Sequence, residues 1–594
     1  MKTDCPPEAF ENFLPLARLA LSGRFDGGGR EVWAGPLARL LEAASRGVGQ
    51  ITATECGLPD NPPDEFFAIA GDLVLLPRTQ SCWDRVREDF ERRLAEARPI
   101  FDDRAVRRGL DGIVPRCIED HFDNAQQRLA VAAFCDARAG VLTGGPGTGK
   151  TTCAAALLAL RKRLDPTLHP DAVLLAAPTG KAACRLAESL RKSADRLPLE
   201  PAEKEFLKSL QPRTLHKALE WTPKPPEQGG PFLRDGERPL DARMVIVDEA
   251  SMVDLELMSH LVLALPSDAS LILLGDSDQL ESVETGGVLA ELVARGAAAS
   301  LPEDTLARWH ARTGDDAARI FADGLAVTKI ADEAVSLSRR SAQVPALEPL
   351  PGLMIPLKSS YRAKESPWIL QLAGIVKPGG TGTAEQFRML AAANAPHVRL
   401  YDSRADFERF CGGHWQNWGS MVSGWTAGNF PDFLPGLGGE LSAFQLLCGT
   451  NAQVDRANRQ GVRILRGSSP GSAGLPHGCP IIVGTNSPAL GLSNGDLGVA
   501  LGSGPGTPAQ IAVFPGLPAP IPLTRLPSHQ PAFALTIHKS QGSEWHTVAL
   551  DLPGEESRLL GRNLVYTAIT RSAFGFHLFA GQNALESLLD AASD

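Results

Sequence analysis

The run Gly144-Gly145-Pro146-Gly147-Thr148-Gly149-Lys150-Thr151 has the residue types and spacing of a loop that wraps phosphates. Glycines let consecutive backbone N–H groups turn inward, and a helix that starts in the loop adds the positive end of its dipole. Lys150 is spaced to neutralise the β- and γ-phosphates, and the Thr151 hydroxyl to ligate Mg2+, with Thr152 beside them at the start of the helix. An apolar run at 140–143 precedes the loop and a helix-forming run at 152–160 follows it, the strand–loop–helix context that such a loop needs. Further on, Val245-Ile246-Val247-Asp248-Glu249 is an apolar strand ending in two carboxylates. Asp248 is placed to hold Mg2+ through water and Glu249 to orient or activate an attacking water. Together the two runs predict a machine that hydrolyses a nucleoside triphosphate.

These groups need rigid elements behind them. From about 111, short apolar runs (VLTGG, VLLAAPTG, MVIVDEA, LILLGD) alternate with helices rich in Ala and Leu. Apolar runs of this length read as buried parallel strands with crossover helices, which is an α/β doubly wound sheet. A second α/β region begins near 351. Within it, 468–530 is dense in Gly, Pro and Ser with short β-like runs, and reads as a small β-barrel-like insertion. The expected organisation is a helical N-terminal domain over 1–110, a first ATPase domain over 111–350 and a second over 351–594. The segment 83–98 (WDRVREDFERRLAEAR) predicts a charged helix with a solvated face and a thin apolar stripe. Residues 222–240 read as a surface loop.

The whole-chain properties narrow the class. At 594 residues, several domains are expected. The net charge of −10 argues against a broad basic surface that coats nucleic acid, and leaves room for a narrow basic channel. Ten scattered cysteines form no CxxC pair, so reduced thiols are expected rather than a zinc or iron–sulfur site. The N-terminal run MKTDCPPEAFENF has no basic segment followed by an apolar one, and no apolar stretch is long enough to span a bilayer. A cytoplasmic protein without a membrane segment is expected.

Further motifs follow in a fixed order. Leu274-Gly275-Asp276-Ser277-Asp278-Gln279-Leu280 is another strand ending in polar residues. Ala177-Pro178-Thr179-Gly180-Lys181-Ala182-Ala183 and Thr214-Leu215-His216 lie between the phosphate loop and the acidic strand. The second half holds LKSSYR ending at Arg362, Leu535-Thr536-Ile537-His538-Lys539-Ser540-Gln541-Gly542-Ser543-Glu544, Tyr566-Thr567-Ala568-Ile569-Thr570-Arg571, and the stretch Asn494-Gly495-Asp496-Leu497-Gly498. In this order the set resembles the RecD family of superfamily 1 DNA helicases, over about 120–290 and 355–580.

The resemblance implies two RecA-like P-loop motor domains, with ATP and Mg2+ as cofactors. It makes Gln279 a sensor of the γ-phosphate, Arg571 an arginine finger, Arg362 a second γ-phosphate partner and Gln127 the reader of adenine. Pro178, Thr179, His216, Thr536, His538 and Ser540 become contacts to DNA. It implies ATP-driven 5′→3′ movement on single-stranded DNA from duplex ends, as the motor subunit of a RecBCD-type exonuclease complex in double-strand break repair and recombination. RecB-like and RecC-like subunits would complete the heterotrimer, with the nuclease on a partner and the N-terminal domain as the docking element. Glu281 departs from the small residue or Pro expected there. A stand-alone RecD-like helicase and a protein-regulated P-loop ATPase that does not act on DNA are the alternatives.

Overall fold

The computed structural model describes residues 13–21, 27–45, 51–59, 62–70, 73–116, 124–222, 231–280, 287–328, 349–358, 366–377, 382–426, 428–467, 474–552, 562–581 and 584–590. The chain divides into two compact units. One comprises 1–178, 183–277 and 281–360, the other 179–182, 278–280 and 361–594. The division therefore cuts through two of the motifs, between Pro178 and Thr179 and between Ser277 and Asp278.

In the first unit, helices Leu14–Leu21 and Gly27–Ser45 accompany a small antiparallel sheet of β1 (Ile51–Thr52), β2 (Ala68–Ala70) and β3 (Leu73–Leu75), in the order β1-β3-β2. Six parallel strands follow: β4 (Ala139–Gly144), β5 (Val173–Ala177), β6 (Arg213–Thr214), β7 (Met244–Val247), β8 (Ser270–Gly275) and β9 (Met354–Leu357). Their order is β6-β5-β7-β8-β4-β9. Alternate residues enter two separate cores. Leu142, Leu175, Ile246, Ile272 and Leu274 face one layer, and Val141, Leu174, Val245, Leu271 and Leu273 the other. Burial on both faces is why these strands read as continuous apolar runs.

The helix Pro77–Ala95 carries the apolar stripe expected within 83–98, but two of its charged residues, Asp89 and Arg93, are buried with it. Trp83, Val86, Asp89, Phe90 and Arg93 are buried, and the helix packs on Leu255–Ala264 of the first unit. Arg93 is fully buried, with Nε on the Asp89 carboxylate at 2.6 Å and Nη2 donating to the Pro266 carbonyl at 3.2 Å. Arg85 donates to Ser259 at 2.7 Å and Arg87 to Glu291 at 3.0 Å. The charges that suggested solvent instead meet hydrogen-bond partners on the neighbouring helices. A buried guanidinium is tolerable only when its donors are satisfied in this way.

The second unit holds five parallel strands, β10 (Val398–Tyr401), β11 (Phe444–Cys448), β17 (Ala534–Thr536), β18 (Trp545–Asp551) and β19 (Ser572–Phe579). Their order is β10-β19-β18-β11-β17. Between β11 and β17 the chain forms β12 (Cys479–Val483), β13 (Leu497–Leu501), β14 (Ile511–Val513), β15 (Ile521–Pro522) and β16 (His529–Pro531). They make one antiparallel sheet in the order β15-β14-β13-β12-β16. Among the described residues no pairing joins its edge strands β15 and β16.

A histidine stack braces the β10–β19 edge. His577 lies parallel to Phe410 with centroids 4.0 Å apart, and its Nδ1 is 3.2 Å from the Tyr401 hydroxyl. Burial, with repulsion from His414 and Arg399, pushes its imidazole down to about 4. An unfolded imidazole titrates near 6.5, so the unfolded chain takes up the proton first. The stability held by a neutral His577 is complete above about pH 6.5 and is lost as pH falls toward about 4. Lowering pH from about 7 to about 5 should cost about 2 kcal/mol through this residue. Urea unfolding of the wild type and of His577→Phe at the two pH values checks this. The same loss in both proteins refutes it.

Candidate nucleotide and strand-binding site

The phosphate loop begins where β4 ends. β4 lies between β8 and β9 in the sheet, so the loop emerges from its buried interior. A Cβ on Gly144 would meet the Leu357 carbonyl oxygen at 2.7 Å and Thr148 Oγ1 at 3.0 Å, so only glycine fits against β9. Gly149 has φ +87° and opens the helix Lys150–Leu164, a left-handed entry that costs glycine little. Thr148 Oγ1 donates to the Gly145 carbonyl at 2.8 Å and closes the turn, which continues through Pro146 and Gly147. The Lys150 ammonium donates to the carbonyls of Gly144 and Gly145 at 2.6 and 3.1 Å. It thus lies folded over the loop whose ligand it is expected to meet. Thr151 and Thr152 stand in the first turn of the helix.

The acidic pair stands at the end of β7. Burial first, and then the neighbouring Glu249 carboxylate, push the Asp248 carboxyl up to about 6, against the pull of Lys150 and of a hydrogen bond from Thr151. Glu249 has φ +52° and ψ 43°, the left-handed region that a residue with a side chain seldom occupies. Its N–H donates to Asp248 Oδ1 at 3.0 Å, and a single 3-10 turn, Ala250–Met252, follows. Strain of this kind costs on the order of 1–3 kcal/mol and gathers at functional sites. Gln127 is buried in the helix Ala125–Phe134, where its amide nitrogen donates to the Thr148 carbonyl at 3.2 Å and its buried amide oxygen has no partner. An unpaired buried acceptor next to the phosphate loop can receive a donor from a ligand.

In the second unit, Asp278, Gln279 and Leu280 pack with the segment around Arg571. Arg571 is buried, and its Nη2 donates to the Gln279 amide oxygen while Nη1 reaches the Ser543 carbonyl at 3.3 Å. The Leu280 N–H donates to Thr567 Oγ1 at 2.9 Å, and Gln541 Nε2 to the Leu280 carbonyl at 2.9 Å. Lys377 pairs with Asp278 at 2.6 Å. Thr567, Gln541 and Lys377 were not singled out in the sequence. The first two lie inside recognised motifs, whereas nothing in the sequence marks Lys377. Arg362 and Glu281 lie outside the described residues.

The expected strand contacts are distributed over both units. Pro178 ends the first segment of unit one, and Thr179 Oγ1 accepts from the Ala182 N–H at 3.2 Å at the start of the helix Gly180–Arg196. Thr214 caps the short helix Leu215–Ala218, on which His216 is exposed. Thr536 likewise caps Ile537–Ser540, on which His538 is exposed. Ser540 differs from the expectation. It is fully buried, with its hydroxyl donating to the Ile537 carbonyl at 2.6 Å, so it closes its own turn instead of offering a hydroxyl to a strand.

Three substitutions test the geometry. Lys150→Gln removes the loop's cation and should abolish ATP hydrolysis with the fold intact. Glu249→Gln should bind ATP and fail to turn over. Arg571→Ala should slow turnover at least tens of fold with little change in nucleotide affinity, since arginine fingers contribute roughly 10³–10⁵ in other hydrolases. Steady-state ATPase rates and nucleotide titrations on folded variants check all three, and wild-type turnover in any one removes that residue from the site.

Residues 127–285 match the family model described as an AAA domain, and 531–577 match that of a UvrD-like helicase C-terminal domain. The chain is 33% identical over 554 residues to RecBCD enzyme subunit RecD of Mycolicibacterium smegmatis, covering 88% of this chain and 83% of that one. It is 32% identical over 463 residues to RecBCD enzyme subunit RecD of Mycobacterium tuberculosis, covering 75% and 67%. Similarity to the ATP-dependent RecD2 DNA helicase of Deinococcus radiodurans is 28% over 435 residues, covering 73% of this chain and 45% of that one. With a phosphate loop and a paired-acid strand in one parallel sheet and a second parallel sheet behind the later motifs, the chain belongs to the RecD family of superfamily 1 helicases and is an ATP-dependent DNA helicase built on two RecA-like motor domains.

Proposed function

We propose that this chain is the motor subunit of a RecBCD-type exonuclease complex, a 5′→3′ single-strand translocase and helicase that opens duplex ends in double-strand break repair and recombination. The observation that carries the subunit reading is similarity along this chain. It is 33% identical to a RecD subunit over 88% of its residues and 28% identical to the RecD2 helicase over 73%. Nuclease activity is assigned to the assembled complex, on a RecB-like partner. The N-terminal region, with exposed Leu16, Leu19 and Val32 on its helices, is assigned to docking on a RecC-like partner. A cytoplasmic location fits this assignment, and no described helix is long and apolar enough to cross a membrane.

In this reading the amides of 144–149 hold the phosphates of ATP and Gln127 offers its free acceptor to the adenine. Lys150 leaves the loop carbonyls for the β- and γ-phosphate oxygens. The Thr151 hydroxyl and the Asp248 carboxylate would hold Mg2+. Both are hard oxygen donors, and a carboxyl pushed up by burial gains most from a neighbouring cation. Bound there, the ion would spread the charge that builds on the phosphates. Glu249 orients the attacking water and takes its proton. Arg571 exchanges the Gln279 oxygen for a γ-phosphate oxygen, so Gln279 reports whether that phosphate is present. Arg362 is assigned to the same phosphate.

ATP contacts contributed by both motor domains favour closure, and hydrolysis removes them. Pro178, Thr179 and His216, with Thr536 and His538, are the contacts assigned to the DNA backbone, and cycles of closure move the strand past them. With only 6% aromatic residues, backbone contacts dominate over base stacking.

Tailed duplexes test the direction. With ATP and Mg2+, the chain, alone or with its partners, should unwind a duplex carrying a 5′ single-stranded tail and not one carrying a 3′ tail. Unwinding from 3′ tails alone rejects the direction and keeps the helicase. Purification from the native host tests the assembly. RecB-like and RecC-like proteins should copurify with the full chain and be lost on deletion of 1–70, which leaves the helix Pro77–Ala95 in the core of the first unit. Undiminished association after the deletion defeats the docking assignment.

A further inference from the structure

A cavity of about 190 Å3 lies in the second unit where three layers meet. Its walls come from one face of the helix Arg404–Val422, from the amino ends of β11 and the segment entering β17, and from β12 of the antiparallel insertion. Trp415, Trp418, Phe444 and Phe533 supply flat apolar surface, and His414 lies parallel to Phe444 with centroids 4.1 Å apart. The strand register pairs Cys448 with Thr536. Gln445 is therefore three residues, about 10 Å, from the end of the ladder where the strand-contact motif begins. The cavity is thus separate from the nucleotide and strand contacts assigned above.

One polar group on its wall is left over. Gln445 is 3% exposed, and its amide nitrogen donates to the carbonyls of Leu446, Ala532 and Phe533 at 3.2, 3.3 and 3.2 Å. Three carbonyls around one end of the amide fix which end is nitrogen, because a flipped amide would set oxygen against oxygen. Among the described residues nothing donates to the amide oxygen. An acceptor held in one orientation and open to the cavity selects a ligand with a donor. No lysine or arginine lines the cavity, and Glu440 stands exposed at its mouth, so an anion is disfavoured. Burial holds the His414 imidazole below its ordinary value. An apolar cavity of about 150 Å3 takes a benzene ring, so this one admits a single or fused ring.

We propose that this cavity is a binding site for an uncharged, planar aromatic ring bearing an N–H or O–H donor, with the ring against the Trp and Phe side chains of the wall and the donor on Gln445 Oε1. Such a ligand would brace β11 against the strand that leads into Thr536, and so act on the motor from a site it shares with neither ATP nor DNA. Saturation-transfer NMR on the full chain, with indole as the probe, tests this. Indole should bind saturably. 1-Methylindole, which lacks the donor, should bind roughly tenfold more weakly, and indole-3-carboxylate should also bind more weakly. Ala443→Leu, which adds bulk at an exposed position on the cavity's rim, should weaken indole binding and retain ATPase activity. Absence of saturable indole binding overturns the proposal. So does equal binding of indole and 1-methylindole, a comparison on the wild-type chain that stands even if Ala443→Leu fails to fold.

Discussion

A phosphate cradle made of backbone N–H groups can be no more rigid than the strand that ends in it. Here that strand is β4, with β8 on one side and β9 on the other and every residue buried. The Leu357 carbonyl of β9 approaches Gly144 so closely that a side chain there would collide with it. The loop amides are therefore aimed by a packed sheet and not by their own turn alone. The acidic strand β7 belongs to the same sheet, two places away with β8 between. Its two carboxylates come to the carboxyl edge on which the loop also opens, the edge where parallel α/β sheets bind ligands.

That edge carries a concentrated electrostatic cost. Asp248 is held toward its neutral form by burial and by Glu249, and Glu249 sits in a backbone region that favours glycine. Lys150 meanwhile spends its charge on loop carbonyls. A divalent cation would relieve the crowding of the two carboxylates and a phosphate chain would give Lys150 an anionic partner, whereas the Glu249 backbone strain is held by the fold. Binding energy spent there would fall on the groups proposed to act on the γ-phosphate, which is how a hydrolase separates nucleotide affinity from turnover.

The second unit shows the same economy with different chemistry. The segment 278–280 is held by Thr567, Gln541 and Lys377, and Gln279 occupies Arg571. A buried guanidinium with one amide partner and one long contact to a carbonyl is paired but not saturated, since its Nε has no partner. An anionic oxygen would complete it. The helix Arg404–Val422 begins at the carboxyl end of β18, where Arg404 pairs with Asp551 at 2.8 Å, whereas Arg571 and Ser543 stand at the amino ends of β19 and β18.

Much of this was legible in the sequence because it depends on short-range rules. A phosphate loop needs glycines at fixed positions, a buried parallel strand needs an unbroken apolar run, and a helix needs its cap. The loop 144–151 and the acids at 248 and 249 are of this kind. What the tertiary structure decided are the partnerships of polar side chains across long sequence separations, for which local pattern holds no signal. The arginines of Pro77–Ala95 read as solvated because charge usually stays in water, yet Arg93 is buried against carbonyls more than 170 residues away. Ser540 read as a strand contact from its place in a motif, but its hydroxyl turned to its own helix. Gln445, an unremarkable glutamine in a strand, acquired a free acceptor only because three carbonyls captured its nitrogen. Composition and spacing prescribe the backbone's phosphate chemistry, whereas the fate of a buried side-chain donor or acceptor depends on which groups folding brings within about 3 Å of it.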